Sequence, residues 1–161
     1  MPNFVQSLIE CTYFPKTPTT NKSISILGKL PTGFSSQVAQ EIERSSLPWQ
    51  ENAYSDYTSK GYEVLSLLNK DGNSARTIIE DCTPIPTPDL DKLPTVRNFL
   101  EQCGLSLMWV RLNKLKPGAC FWEHRDYSEL NAKRKVRLHI PICTSPDSYF
   151  VFQDKAIHEV S

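Results

Sequence analysis

Residues 135 to 142, KVRLHIPI, constrain the fold more than any other stretch of the chain. Val136, Leu138, Ile140 and Ile142 alternate with Arg137, His139 and Pro141, so the segment is a β-strand with one apolar face and one that carries a guanidinium and an imidazole. Once the apolar face packs into a core, the opposite face either meets water or lines a cavity. An unpaired guanidinium in a cavity is prohibitively costly, and an anionic ligand would resolve that conflict. The planar fork of arginine matches a carboxylate, and a histidine two residues on can add a hydrogen bond to the same small molecule. The plainer alternative is an antiparallel strand whose Arg/His face is solvated.

A second amphipathic strand precedes it. In SLMWVRLNKL (106 to 115), Trp109, Arg111 and Asn113 alternate with Met108, Val110 and Leu112, and Lys116-Pro-Gly118 turns the chain into ACFWEHRD. That segment holds a His-x-Asp pair, His124 and Asp126. In extended backbone the two side chains share a face and can take adjacent positions on one ion. One imidazole and one carboxylate suit a divalent, redox-active metal such as Fe(II), with room for a third ligand. The competing reading is a charged surface turn, since Glu123, Arg125 and Glu129 surround the pair and Asp-Tyr-Ser is good turn chemistry.

Taken in order, Trp109-Val-Arg-Leu112, Leu115-Lys-Pro-Gly118, Glu123-His-Arg-Asp126 and Arg137-Leu-His-Ile-Pro141 resemble the aspartyl/asparaginyl β-hydroxylase family of Fe(II)/2-oxoglutarate dioxygenases. The resemblance extends upstream through Gly61 to Leu67, Asn69 to Gly72 and Thr95 to Gly104, covering residues 25 to 153 or so. It implies a double-stranded β-helix, the jelly roll or cupin fold. It implies that His124 and Asp126 are the first two iron ligands, that Arg137 and His139 face the 2-oxoglutarate pocket, and that Asn113 lies near this cosubstrate. It implies hydroxylation, with O2, of an amino acid, an amino-acid derivative or an aspartyl or asparaginyl residue. Trp109, Trp122 and Tyr127 are candidates for the pocket mouth, although Trp109 and Trp122 read better as core.

One departure stands against these matches. The family places a second metal histidine, and a further arginine for the distal carboxylate of 2-oxoglutarate, after another turn and strand, beyond Ser161. His158 falls too early for that role and reads as a solvated loop residue. The expectation is therefore an incomplete jelly-roll domain over 22 to 161, lacking its last strands, in a truncated product, a fragment or a remnant without activity. The competing class is a non-catalytic cupin-like domain that binds a small carboxylate or a partner protein. A third is a metal-dependent isomerase or epimerase on the same scaffold. A barrel without its closing strands needs its edges covered, by the lead-in, a partner chain or a second copy.

The remaining chain fits one small domain, since 161 residues with 39% apolar content fill one core. Residues 1 to 21 read as an irregular lead-in, SISIL (23 to 27) as a short strand, 35 to 45 as a helix capped by Ser35 or Ser36, and YEVLSLL (62 to 68) as a strand. Residues 83 to 94 carry four prolines and exclude regular structure; a helix follows to about 103, with Pro94 near its first position and Gly104 closing it. SYFVFQ (148 to 153) reads as the last strand. Eighteen basic residues balance eighteen acidic ones, which leaves no electrostatic footprint for nucleic acid or an anionic membrane. Five cysteines without a Cys-x-x-Cys pair suit free thiols in a reducing cytoplasm. No basic, apolar leader opens the chain and no apolar run approaches the roughly 18 residues that span a bilayer, so a cytoplasmic location is expected.

Overall fold

The computed structural model describes residues 6–14, 28–51, 56, 58–122, 135–152 and 155–158. It is mainly β. Strands β1 (Gln6–Phe14), β2 (Gln50–Glu51), β3 (Tyr62–Asn69), β4 (Ile85–Pro86), β5 (Ser106–Leu115) and β6 (Val136–Cys143) form one antiparallel sheet, with helices α1 (Phe34–Arg44) and α2 (Pro94–Gln102). The path across the sheet is β2-β3-β5-β1-β6, with β4 also pairing to β3. A separate hairpin joins β7 (Tyr149–Phe152) to β8 (Lys155–His158).

One interior strand of the sheet comes from the segment expected to be an irregular lead-in. QSLIECTYF forms β1, inserted between β5 and β6. Its alternation explains why: Ile9 and Cys11 point to one face, Leu8, Glu10 and Thr12 to the other. A strand with a charged residue at its middle carries a weak apolar signal, and the Pro/Thr/Asn-rich residues that follow mask it further.

Both helices pack on the first face. Ile9 and Cys11 join Leu65, Leu67, Val110, Leu112, Ile140 and Ile142 from the strands, and Phe34, Val38, Val96 and Leu100 from the helices, in one buried cluster. The Phe34 and Phe99 rings meet at 5.3 Å between centroids, where the two helices touch. Helix α1 starts one residue earlier than expected and is not capped by serine. Gly33 takes the N-cap position at φ +83°, where the lack of a Cβ removes the steric cost. The serine hydroxyls go elsewhere: Ser36 donates to the Gly33 carbonyl, and Ser35 donates to Pro141 O at 3.1 Å, tying α1 to β6. Helix α2 has Pro94 in its first turn and is capped across the fold, because the Glu41 carboxylate of α1 accepts from the Thr95 N–H at 3.1 Å and from its hydroxyl.

The proline-rich approach to α2 is more ordered than expected. Ile85–Pro86 pairs with Leu68 and Asn69, Thr87 N–H donates to Leu67 O at 2.9 Å, and a 3-10 turn covers Pro88–Lys92. Proline is tolerated at this edge because it owes no ladder hydrogen bond outward. Buried Asp89 fastens the turn by accepting from Ser74 Oγ and pairing with Lys92 Nζ at 2.6 Å. The Asn69 to Gly72 turn matches expectation. Asn69 Oδ1 accepts from the backbone N–H of Asp71 and Gly72, and Gly72 (φ +70°) is required because a Cβ there would lie 3.2 Å from Pro86 O.

Near the C-terminus the chain departs from the sequence reading again. SYFVFQ is not the last strand, since β8 pairs back on it and His158 stands in that strand opposite Tyr149 rather than in a loop. The expected strand at 23 to 27 lies outside the described residues. No helix among the described residues is long and apolar enough to cross a membrane.

Leu112 is fully buried at the centre of the helix-covered face, whereas Ile78 is largely exposed. Leu112→Ala is expected to cost about 2–5 kcal/mol of unfolding free energy, and Ile78→Ala less than about 0.5 kcal/mol. Urea titration of both variants checks this; equal losses would contradict the assignment of the core.

Candidate functional site

The second face of the sheet is also buried, and it is polar. Register puts Ser66 (β3), Arg111 (β5), Glu10 (β1) and His139 (β6) side by side in one row across four strands. Asn113 lies in the next row beside Val64 and Leu8, and Arg137 in the row on the other side, beside Thr12 and Trp109. Alternation alone gathers these side chains, because each strand gives its other set of residues to the helix-covered core.

Glu10 is the hub. It is 5% exposed, and its Oε2 accepts from Arg111 Nη2 and from Asn113 Nδ2, both at 3.2 Å. Its Oε1 lies 3.0 Å from Arg111 Nη2 and 3.4 Å from Arg137 Nε. Asn113 is fixed in turn by the Tyr62 hydroxyl, which donates to its Oδ1 at 2.6 Å, and the Tyr62 ring meets Phe121 edge-on at 4.6 Å. A chain of contacts thus runs from β3 to β6 through one carboxylate.

Burial alone would push the Glu10 carboxyl up. The charges of Arg111, Arg137 and His139, with the Arg111 hydrogen bond, outweigh it and hold the group at about 2. Glu10 is therefore an anion across the physiological range.

This arrangement changes the argument for Arg137. The strand face that seemed to demand an outside anion has an internal one, supplied by β1. Glu10, Arg111 and Tyr62 were not among the residues singled out from the sequence. Arg111 was legible as part of the polar alternation of β5, but Glu10 became visible only once QSLIECTYF was paired as a strand. Asn113, Arg137 and His139 do come together on this face, as their alternation requires. His124 and Asp126 lie outside the described residues, as does Tyr127. Among the described residues no group of three His, Cys, Asp or Glu is placed to hold a metal ion. Trp109 is core, as expected, whereas Trp122 is 58% exposed and is not.

The donors on this face are of the kind that hold a carboxylate. Arg137 is more accessible than Arg111 or Glu10, with 23% of its side chain exposed against 7% and 5%, and it stands beside His139 on the same face of β6. A guanidinium flanked by an imidazole is suited to a carboxylate.

A second polar group belongs to the end of the sheet. Desolvation of Glu63 is outweighed by Lys114 at 2.6 Å and Lys116 at 2.5 Å, which hold its carboxyl below the usual range. With Glu51, Lys60, Gly61 and Tyr62, Glu63 and Lys116 line a cavity of about 180 Å³. Its charges are matched from within, since Lys116 also reaches Glu51 at 3.4 Å. The five cysteines are free, and burial pushes the Cys11 thiol up, with Cys103 and Glu10 adding to the effect, so it is a packing residue and no nucleophile at neutral pH.

A carboxyl held below its ordinary value contributes stability above its unfolded pKa and loses that contribution as pH falls through the folded one. For Glu10 the window runs from the ordinary 4.5 down to about 2, with a size of ~3 kcal/mol. Urea unfolding across this range is expected to show the loss in the native protein and a flatter profile in Glu10→Gln. Parallel profiles would contradict the ion-pair assignment.

No family model and no solved structure matches this chain.

Proposed function

We propose that the protein is an Fe(II)/2-oxoglutarate-dependent dioxygenase on a jelly-roll scaffold, hydroxylating an amino acid, an amino-acid derivative or an aspartyl or asparaginyl residue. The observation that carries this reading is the buried polar face on which Arg137, His139, Arg111 and Asn113 gather around Glu10. An antiparallel sheet with helices on one face and a polar, buried opposite face is the arrangement a β-helix oxygenase needs, with its chemistry inside and its helices outside. The motif series from Trp109 to Pro141 adds the family resemblance and its metal pair, His124 and Asp126.

In this account each residue has a separate task. Arg137 pairs with a carboxylate of the cosubstrate and His139 adds a hydrogen bond to it. Asn113, held by Tyr62, and Arg111 fix the orientation of Glu10, so the face keeps its shape when a ligand enters. His124 and Asp126 would hold iron, which supplies the redox chemistry when bound. The protein's contribution is positioning and exclusion of water.

One observation favours a second reading, a non-catalytic cupin-like domain that binds a small carboxylate. Glu10 already places a negative charge 3.4 Å from Arg137, so the face is electrostatically stable without cosubstrate.

Anaerobic titration of the protein with Fe(II) and 2-oxoglutarate separates the two. A metal-to-ligand charge-transfer band in the visible is expected, and Arg137→Met should raise the 2-oxoglutarate concentration it requires by about tenfold or more, the loss of a charge-assisted carboxylate pair. Binding of 2-oxoglutarate by calorimetry without the band would favour the non-catalytic domain. Absence of both would contradict both readings.

A further inference from the structure

We infer that Glu10 is a built-in counter-ion that sets, by opposing it, how tightly the Arg137 edge of the polar face holds a carboxylate. The inference rests on the carboxylate site proposed above and assigns its affinity to a residue that the motif series does not include.

Because β1 lies between β5 and β6, Glu10 stands one strand from Arg137 and Arg111 stands two. The Glu10–Arg111 pair is therefore a fixed dipole whose negative end is turned toward Arg137. It cannot easily turn away, since Oε2 is held by both Arg111 and Asn113 and Asn113 is held by Tyr62. Nor does it lose its charge, being buried among cations that keep it ionised.

A carboxylate arriving at Arg137, the most accessible of the three charged groups, must approach this buried anion to within about a strand spacing of ~5 Å. Two like charges at that separation, in a medium of effective dielectric about 20, repel strongly enough to change binding by tenfold or more. The consequence is selectivity. An anion that Arg137 alone would hold is rejected, whereas a ligand that also gains a second point of attachment is retained and its weaker-bound product leaves.

Calorimetric titration with 2-oxoglutarate, in the presence of redox-inert Mn(II), tests this on the native protein, Glu10→Gln and Arg137→Met. Glu10→Gln is expected to bind at least about tenfold tighter than the native chain. Equal or weaker binding, with Arg137→Met still impaired, overturns the inference and leaves the carboxylate site standing. Binding by none of the proteins, or binding indifferent to Arg137→Met, overturns the site itself and the inference with it. Should Glu10→Gln fail to fold because Arg111 loses its counter-charge, the double variant Glu10→Gln/Arg111→Gln removes the whole dipole. It is expected to bind more tightly than the native chain too, by a smaller factor, and equal or weaker binding there overturns the inference in the same way.

Discussion

The ion pair between Glu10 and Arg111 is the constraint on which the rest of the polar face depends. Two charges buried on neighbouring central strands cost several kcal/mol each in lost hydration, and their attraction repays this only where geometry and additional hydrogen bonds are good. Here the repayment comes from Asn113, Arg137 and His139, so five side chains on three strands are fixed together. Replacing such a pair with well-packed apolar residues is often neutral or stabilising, so stability alone is a poor reason to keep one. Under the proposed function the pair has another use, since a face that receives a charged ligand needs its cations held in place before the ligand arrives.

The two faces of the sheet divide the work. The helix-covered face is apolar and continuous from β3 to β6, with α1 and α2 closing it. The opposite face can be polar because the first supplies the hydrophobic burial. Strand β1 serves both: Ile9 and Cys11 complete the core while Glu10 organises the charges. The N-terminal segment thus serves as an interior strand, paired on both sides.

How much of this was legible in the sequence follows from periodicity. Strand β6 was readable because Val136, Leu138, Ile140 and Ile142 alternate strictly with Arg137, His139 and Pro141, β5 because Arg111 and Asn113 alternate with Val110 and Leu112, and the helix at 94 to 102 was announced by Pro94 and Gly104. Strand β1 was missed because its middle carries Glu10, a residue depleted in strands, and a Pro/Thr/Asn-rich stretch follows it. Its partners are about a hundred residues away in β5 and about 130 away in β6, and register of that kind is a tertiary fact. The site was half legible for the same reason: Arg137, His139 and Asn113 announce themselves by alternation, whereas the carboxylate that joins them does not. The cap of α1 was misassigned because serine chemistry predicts a cap, and here tertiary contacts to Pro141 claimed one hydroxyl while Gly33 supplied the turn.

The central proposal is that this polar face receives a carboxylate at Arg137. The most direct test is to follow the Arg137 side-chain Nε–H resonance by NMR, with the diamagnetic ion Zn(II) present to offer the second point of attachment, during titration with 2-oxoglutarate and, separately, with its neutral dimethyl ester. The account expects a saturable displacement of the Arg137 signal with the diacid and none with the diester. An Arg137 resonance that ignores the diacid, or answers both ligands alike, would contradict it.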